Sequence, residues 1–341
     1  MSGHQKTLAS DQEAWYTPTS EIEYFGSTMS FDTPLRYPGG KGRLSTFMRE
    51  VIDLNGLRGG EYVELYAGGA GIAITLLLNK VVSRIHINDL NRSIHAFWNA
   101  VLNNSEALCD LITQTPVTIE EWHRQRIVQA DMEADPFDLA FSTFFLNRTN
   151  RSGIIGGGVI GGKDQSGKWK LDARFNKKDL IERIRKIASL SEYISLYNCD
   201  AAEFIKTELP NVANRSLIYL DPPYYIKGKG LYQNHYQHAD HEEISQLVAT
   251  IRQPWLVTYD NVDHIRSLYK SFPQRNFGLQ YSAQGRYCGT EVLVTKADLV
   301  LPLSVEPTKA DLPEAALIRR QATMTGTVAS ETECAITPEI I

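Results

Sequence analysis

The segment "SLIYLDPPYY", residues 216–225, is an apolar run that stops on an acid, two prolines and two tyrosines. Pro222 disfavours the helical region for Asp221, and Pro223 does the same for Pro222, so the backbone beyond the run stays extended. Neither proline has an N–H to donate. The stretch therefore displays the Asp221 carboxylate, carbonyls without competing donors, and the Tyr224 ring in a rigid order. A carboxylate beside a carbonyl suits an NH2 group, which has two hydrogens to give. An aromatic ring suits stacking on a flat base. Together they point to a nucleobase held by its exocyclic amino group. The plainer alternative is a proline-rich exit from a strand.

A second cluster lies upstream. In "VELYAGGAGIA" (63–73) a strand-like run meets glycines and then a helix-like run. Gly68, Gly69 and Gly71 permit a tight turn and close approach of a ligand to the backbone. The helix that follows offers N–H groups without intrahelical acceptors. The spacing is not GxGxxG, so a strict dinucleotide fingerprint is not supported. Asp89 closes the next strand-like run, where an acid can accept both hydroxyls of a ribose; it can equally cap the helix that follows. Glu64 sits inside the first strand and needs a polar partner if buried. These features read as a site for an adenosine-containing ligand, with an ordinary strand–helix turn as the alternative. Further upstream, "LRYPGGKG" (35–42) is a turn whose Lys41 can reach an anionic group such as a carboxylate, or simply face solvent.

What must position these residues is legible as alternation. Strand-like segments at 61–67, 84–89, 193–200, 216–221, 254–260 and 290–296 alternate with helix-like segments at 71–80, 91–104, 241–251 and 262–272. Such a rhythm predicts an α/β fold with a mostly parallel central sheet. In sheets of that kind, ligands bind beyond the carboxyl ends of the strands, which is where Asp221 falls. Residues 105–178 break the rhythm. Their glycine-rich stretch "RSGIIGGGVIGGKDQSGKWK" (151–170) cannot be a regular helix and is expected to form flexible strands or a β-hairpin.

The 341 residues are 43% hydrophobic and 22% charged, a globular mixture. No apolar run reaches transmembrane length and the N-terminus has no signal-peptide core, so no membrane association and a cytoplasmic location are expected. Cys109, Cys199, Cys288 and Cys334 form no CxxC pair, so neither a zinc motif nor a disulfide framework is supported. The net charge is −5. It is unevenly spread: residues 146–186 hold 11 basic and four acidic side chains. That asymmetry fits a polyanion-facing patch, or a solvated helix face with a charged loop. Residues 1–30 read as a loosely ordered extension, with Met29 as a second candidate start, and residues 305–341 as a disordered tail.

At this point a resemblance is plain. "RYPGGK", "VELYAGGAG" and "DPPY", in that order, resemble the Dam-like class of DNA adenine-N6 methyltransferases. "FLNRTNRSG" (145–153), "RFNKKDLIERI" (174–184), "CDAAEF" (199–204) and "VTYDNVDHIRSLY" (257–269) extend the likeness over roughly residues 31–300. One departure is Ala70, which stands where the family carries another glycine. The resemblance implies a Rossmann-like methyltransferase domain from 31–104 and 179–304, with a target-recognition insert at 105–178. It implies S-adenosylmethionine as the donor, with Tyr37, Lys41, Glu64, Ala67, Gly68, Gly69, Gly71, Asp89 and Asp200 around it. Lys41 would meet the donor's carboxylate, Asp89 its ribose and Asp200 its adenine amino group. Asp221, Pro222, Pro223 and Tyr224 would be catalytic. Double-stranded DNA would be the partner, with Arg148, Arg151 and Lys168 as candidate contacts.

The implied reaction is methylation of N6 of a flipped-out adenine. Asp221 and the Pro222 carbonyl would accept from the amino group and favour a more tetrahedral nitrogen, whose lone pair attacks the sulfonium methyl in line. Tyr224 would stack on the base, and Tyr225 is read as packing. Cytosine N4 presents the same amino chemistry and is the alternative substrate. The sequence leaves open a cognate restriction endonuclease as a partner, a phage origin, and a solitary role.

Overall fold

The computed structural model describes residues 32–36, 44–225, 236–281 and 287–302. Residues 37–43, with the expected site residues Tyr37 and Lys41, lie outside them, as do residues 1–31 and 303–341. At the centre is a seven-stranded sheet: β1 (Glu61–Glu64), β2 (Arg84–Asn88), β3 (Ile194–Tyr197), β4 (Ser216–Leu220), β5 (Trp255–Asp260), β6 (Gln274–Tyr281) and β7 (Tyr287–Thr295). Their spatial order is β3-β2-β1-β4-β5-β7-β6. The first five strands are parallel, and β7 runs antiparallel between β5 and β6. This is the mostly parallel α/β sheet that the alternation predicts, in the Rossmann-like form that the resemblance implies.

Strand order reverses between β1 and β4, which pair with Glu64 opposite Tyr219. All five residues of β4 are buried, the continuous apolar run of a parallel strand covered on both faces. Successive residues feed two cores. Leu217 and Tyr219 face one, with Tyr62, Ile85 and Ile87. Ile218 and Leu220 face the other, with Val63, Val257 and Val292. Helices α1 (Ser45–Leu54), α2 (Gly71–Leu78) and α3 (Arg92–Asn103) cover the first face. Helices α8 (Ala201–Thr207), α9 (His238–Val248) and α10 (Asp263–Leu268) cover the second.

Between α3 and β3 the chain is helical first: α4 (Ser105–Gln114), α5 (Ile119–Ala130), α6 (Pro136–Thr149) and, later, α7 (Lys177–Ala188). Asp135 caps α6 through the N–H groups of Phe137 and Asp138, and Pro136 fits its first turn. Residues 139–147 of that helix are all buried, and Phe141, Phe144 and Phe145 join the first core.

The expected strands or hairpin at 151–170 do not form. The segment holds a short 3-10 turn at Arg151–Gly153, one antiparallel bridge between Asn150 and Val159, and successive turns. Side chains replace a ladder. The Asn150 amide donates to the carbonyls of Ile154 and Ile155. The Gln165 amide donates to those of Ile160 and Gly162 and accepts from the Leu171 N–H. Left-handed backbone at Ser152, Gly153, Gly161, Gly162 and Gln165 breaks the strand period.

Two boundaries differ instructively. Helix α9 begins at His238, earlier than periodicity suggests, because Gln237 and Asp240 form a capping box. Helix α10 stops at Leu268, where the Gln274 amide takes the carbonyls of Arg266 and Tyr269.

Candidate active site

Because β1 to β5 are parallel, the segments that follow them all emerge at one edge of the sheet. They are the glycine turn after β1, Asp89 after β2, Asp200 after β3, Asp221–Tyr224 after β4 and Asp260 at the end of β5. Residues far apart in sequence meet there for topological reasons alone.

The expected strand over 61–67 ends at Glu64, but single hydrogen bonds carry the chain on. The Leu65 N–H reaches the Tyr219 carbonyl at 3.2 Å, and the Ala67 N–H the Asn88 carbonyl at 2.9 Å. The turn needs left-handed backbone at Gly68 (φ 48°) and at Ala70 (φ 46°), the latter a costly conformation for a residue with a Cβ. Three groups brace it. Asp89 Oδ2 accepts from the Gly68 N–H at 2.8 Å. The Trp98 indole donates to the Gly68 carbonyl at 2.9 Å. The Thr33 hydroxyl donates to the Gly69 carbonyl. Trp98, Thr33 and Asn88 are contributors that sequence reasoning missed.

Glu64 is buried and accepts from the Ala73 N–H in the first turn of α2 at 3.2 Å. Burial pushes its pKa up to about 8; that hydrogen bond opposes the shift, and the Asp221 and Asp89 charges add to it. It is mostly protonated at neutral pH. Burial likewise raises Asp89 to about 6, against the Asn91 and Gly68 N–H groups that it accepts from. Asp89 thus braces the turn and the start of α3 together. Asp200 caps α8 through the Ala202 N–H at 2.8 Å.

On the β4 side, Thr258 donates to Asp221 Oδ1 at 2.7 Å, and the Tyr219 hydroxyl lies 2.9 Å from Thr258 Oγ1. Tyr224 is buried, with its hydroxyl donating to Glu291 Oε1 at 2.7 Å. The Tyr225 N–H donates to Asp260 Oδ1 at 3.0 Å. Thr258, Tyr219, Glu291 and Asp260 also went unnamed in the sequence reading. Thr258 and Glu291 carried a signal, a polar residue inside an apolar strand.

The basic segment resolves into two populations. Arg148 is half-buried, and its guanidinium donates to the carbonyls of Arg174 and Pro34. Burial and the nearby Arg36 and Arg183 lower its pKa. Arg183 pairs with Asp179, Arg185 with Glu106 and Lys186 with Asp32. Arg151 and Lys168, by contrast, are exposed on the glycine-rich loop. The Lys168 ammonium stands 5.8 Å from the ring of Trp169, which is 66% exposed. Asn147 ties the loop to the segment before Tyr37, accepting from the Arg36 N–H and donating to the Arg36 and Gly153 carbonyls.

Among the described residues no helix is long and apolar enough to cross a membrane. A search of curated proteins returned no match. Solved structures similar to this chain include the tRNA methyltransferase TrmK from B. subtilis, at 13% identity over 83% of each chain with a TM-score of 0.32. TrmK from M. capricolum, in complex with S-adenosylhomocysteine, is 8% identical over 82% of this chain and 87% of its own, with a TM-score of 0.33. A precorrin-6y C5,15-methyltransferase from Geobacter metallireducens is 9% identical over 74% of this chain and 87% of its own, with a TM-score of 0.32. Likenesses of this order carry no weight here. The model of the D12 class N6 adenine-specific DNA methyltransferase family matches residues 37–282. That span takes in the glycine turn, its Asp89 brace and the Asp-Pro-Pro-Tyr exit of β4, and by it this chain belongs to the D12 class N6 adenine-specific DNA methyltransferase family.

Proposed function

We propose that this enzyme methylates N6 of an adenine flipped out of double-stranded DNA, at a particular sequence. Methyl transfer from S-adenosylmethionine belongs to the family; the DNA substrate, the flipping and the residue roles are our reading. The observation that carries it is the meeting of the glycine turn and Asp221–Tyr224 at the reversal of strand order, across the β1–β4 pair.

The residues fit the donor. Left-handed backbone at Gly68 and Ala70 opens the turn before α2, and Asp89 and Asp200 follow the next two strands. Ala67, Gly69 and Gly71 complete the lining, and Glu64 backs it. When bound, S-adenosylmethionine supplies an electrophilic methyl on a positively charged sulfur. Asp221 accepts a hydrogen bond from the adenine amino group and stabilises the positive charge that develops on that nitrogen. The Pro222 carbonyl accepts the second hydrogen. Thr258, backed by Tyr219, holds the Asp221 carboxylate in one rotamer. Tyr224, anchored on Glu291, supplies a ring for the base to stack on. Much of the acceleration comes from holding nitrogen and methyl in line. Arg151 and Lys168 face the DNA backbone from the glycine-rich loop, whereas Arg148 serves the protein interior.

The test is to incubate the protein with radiolabelled S-adenosylmethionine and unmethylated duplex DNA, digest the DNA, and identify the labelled nucleoside. N6-methyladenine is expected. Label in N4-methylcytosine would move the substrate to cytosine, and no label in DNA would overturn the reading.

A further inference from the structure

Beside Tyr225, three side chains from two helices converge. His238 opens α9, and Glu242 follows one turn later on the same face. His264 belongs to the first turn of α10. One donor atom from each lies within 4.8 Å of the other two. His238 Nε2 stands 3.3 Å from Glu242 Oε1. The two imidazole centroids are 3.9 Å apart at 31°.

Two features single this cluster out from an ordinary surface pair. His264 Nε2 is buried and has no hydrogen-bond partner among the described residues, an expensive state for a ring nitrogen. His238 Nδ1 lies 2.7 Å from the Tyr225 hydroxyl. With Nδ1 carrying the proton and donating it to that oxygen, the lone pair of Nε2 is left facing Glu242. A second partner that fixes the tautomer is the arrangement usual for metal-binding histidines. The neighbouring His241 is committed elsewhere, its Nδ1 bonded to the Tyr259 hydroxyl at 3.0 Å.

We propose that His238, Glu242 and His264 form a binding site for a divalent transition-metal ion, zinc by preference. Two neutral imidazoles and one carboxylate are ligands that suit zinc, with a fourth position left to water. A tetrahedral ion bound at about 2.0–2.1 Å needs donor atoms roughly 3.3 Å apart. The His238–Glu242 pair already has that spacing at 3.3 Å. The remaining contraction, between His264 and that pair, requires the two imidazoles, now 3.9 Å apart at 31°, to turn so that a nitrogen of each points at the ion. The ion would clamp α9 to α10. It would also act on the residue after Tyr224, because Tyr225 touches both histidines: its hydroxyl bonds His238 and its ring stacks on His264 at 4.9 Å. Metal occupancy would then set the placement of the Asp221–Tyr225 segment.

The test uses the full-length chain without a histidine tag, freed of metal by a chelator. Cobalt(II) is titrated in and followed by its visible d–d absorption; zinc affinity is then read by competition with a chromophoric chelator. We expect one equivalent of cobalt with a tetrahedral spectrum, displaced by zinc. His238→Ala and Glu242→Gln change exposed or half-exposed side chains, and circular dichroism of the metal-free variants checks their folding. Each is expected to weaken zinc binding by tenfold or more, and Tyr225→Phe by about tenfold through the lost orienting bond. Zinc should raise the Tm of the unsubstituted protein and not that of His238→Ala. Absence of saturable binding, or an unchanged affinity in both His238→Ala and Glu242→Gln, would overturn the proposal.

Discussion

Thr258 bridges Tyr219 and Asp221: its hydroxyl oxygen is 2.9 Å from the Tyr219 oxygen and 2.7 Å from Asp221 Oδ1. With its one proton directed to the carboxylate, it accepts from Tyr219. Tyr219 of β4 and Asp221, the residue just beyond that strand, are thereby locked through a side chain of β5. Thr258→Val keeps the shape and removes the bridge. It should cost about 1–3 kcal/mol, since the buried Tyr219 hydroxyl loses its partner. Adding Tyr219→Phe should restore most of that stability in urea unfolding, because both polar partners are then gone. The methylation rate should stay roughly 10–100-fold down in both variants, since neither holds the carboxylate.

Asp221→Ala separates chemistry from donor binding. Removing the acceptor should lower single-turnover methylation by about 10²–10³ or more. The affinity for S-adenosylmethionine, measured by calorimetry, should stay within about threefold, because in the proposed reaction the group acts on the base in the transition state. Full activity in this variant would sink the assignment of Asp221.

Glu64 gives a pH signature of opposite sign to most carboxylates. Its folded-state pKa of about 8 lies above the ordinary 4.5. The folded protein therefore holds a proton that the unfolded chain has released, and stability falls as pH rises from about 4.5 to about 8. Glu64→Gln is neutral at every pH and can still accept from the Ala73 N–H. Its stability should match the parent near pH 4.5 and exceed it by about 2–4 kcal/mol at pH 8. Thermal unfolding at the two pH values checks this. An advantage that does not grow with pH would mean that burial is not what moves this carboxyl.

Gly153 marks where the glycine-rich loop meets the chain leading to Tyr37. A Cβ there would lie 2.2 Å from the Arg36 carbonyl, on backbone with φ of +77°. Gly153→Ala should cost about 2 kcal/mol or more. Gly156→Ala, at an open position, should be close to neutral, and the difference in urea midpoint between the two tests the contact.

The parts of the site written in residues that restrict the backbone were legible in the sequence. Pro222, Pro223 and the glycine turn carry their conformation with them, and the α/β rhythm places them at one edge of a sheet. Thr258 and Glu291 were not, because their roles come from strand register: Thr258 must lie beside β4, and Glu291 must sit in an antiparallel strand inserted between β5 and β6. Asp89 was found for its position, yet in this structure its two oxygens accept from the Gly68 and Asn91 N–H groups. The 151–170 segment was misread because its order comes from the Asn150 and Gln165 side chains, which no periodicity records. Charge alone could not distinguish Arg148 from Arg151, since burial is a property of the fold.

That distinction yields a prediction about DNA. Binding through phosphates weakens linearly in a log–log plot against salt, with a slope set by the number of contacts. Arg151→Ala and Lys168→Ala remove exposed cations from the glycine-rich loop. Each should reduce the slope by about one and weaken binding across all sequences to a similar degree, unless the residue reads a base, when discrimination falls at one position only. Arg148→Ala should leave the slope unchanged. It would instead take donors from the Arg174 and Pro34 carbonyls, lowering stability by about 1–3 kcal/mol. Fluorescence anisotropy over a salt series, read beside urea unfolding of the same variants, separates the two. A slope that falls with Arg148→Ala and holds with Arg151→Ala would reverse the assignment and move the DNA-facing surface to the side where Arg148 meets Pro34.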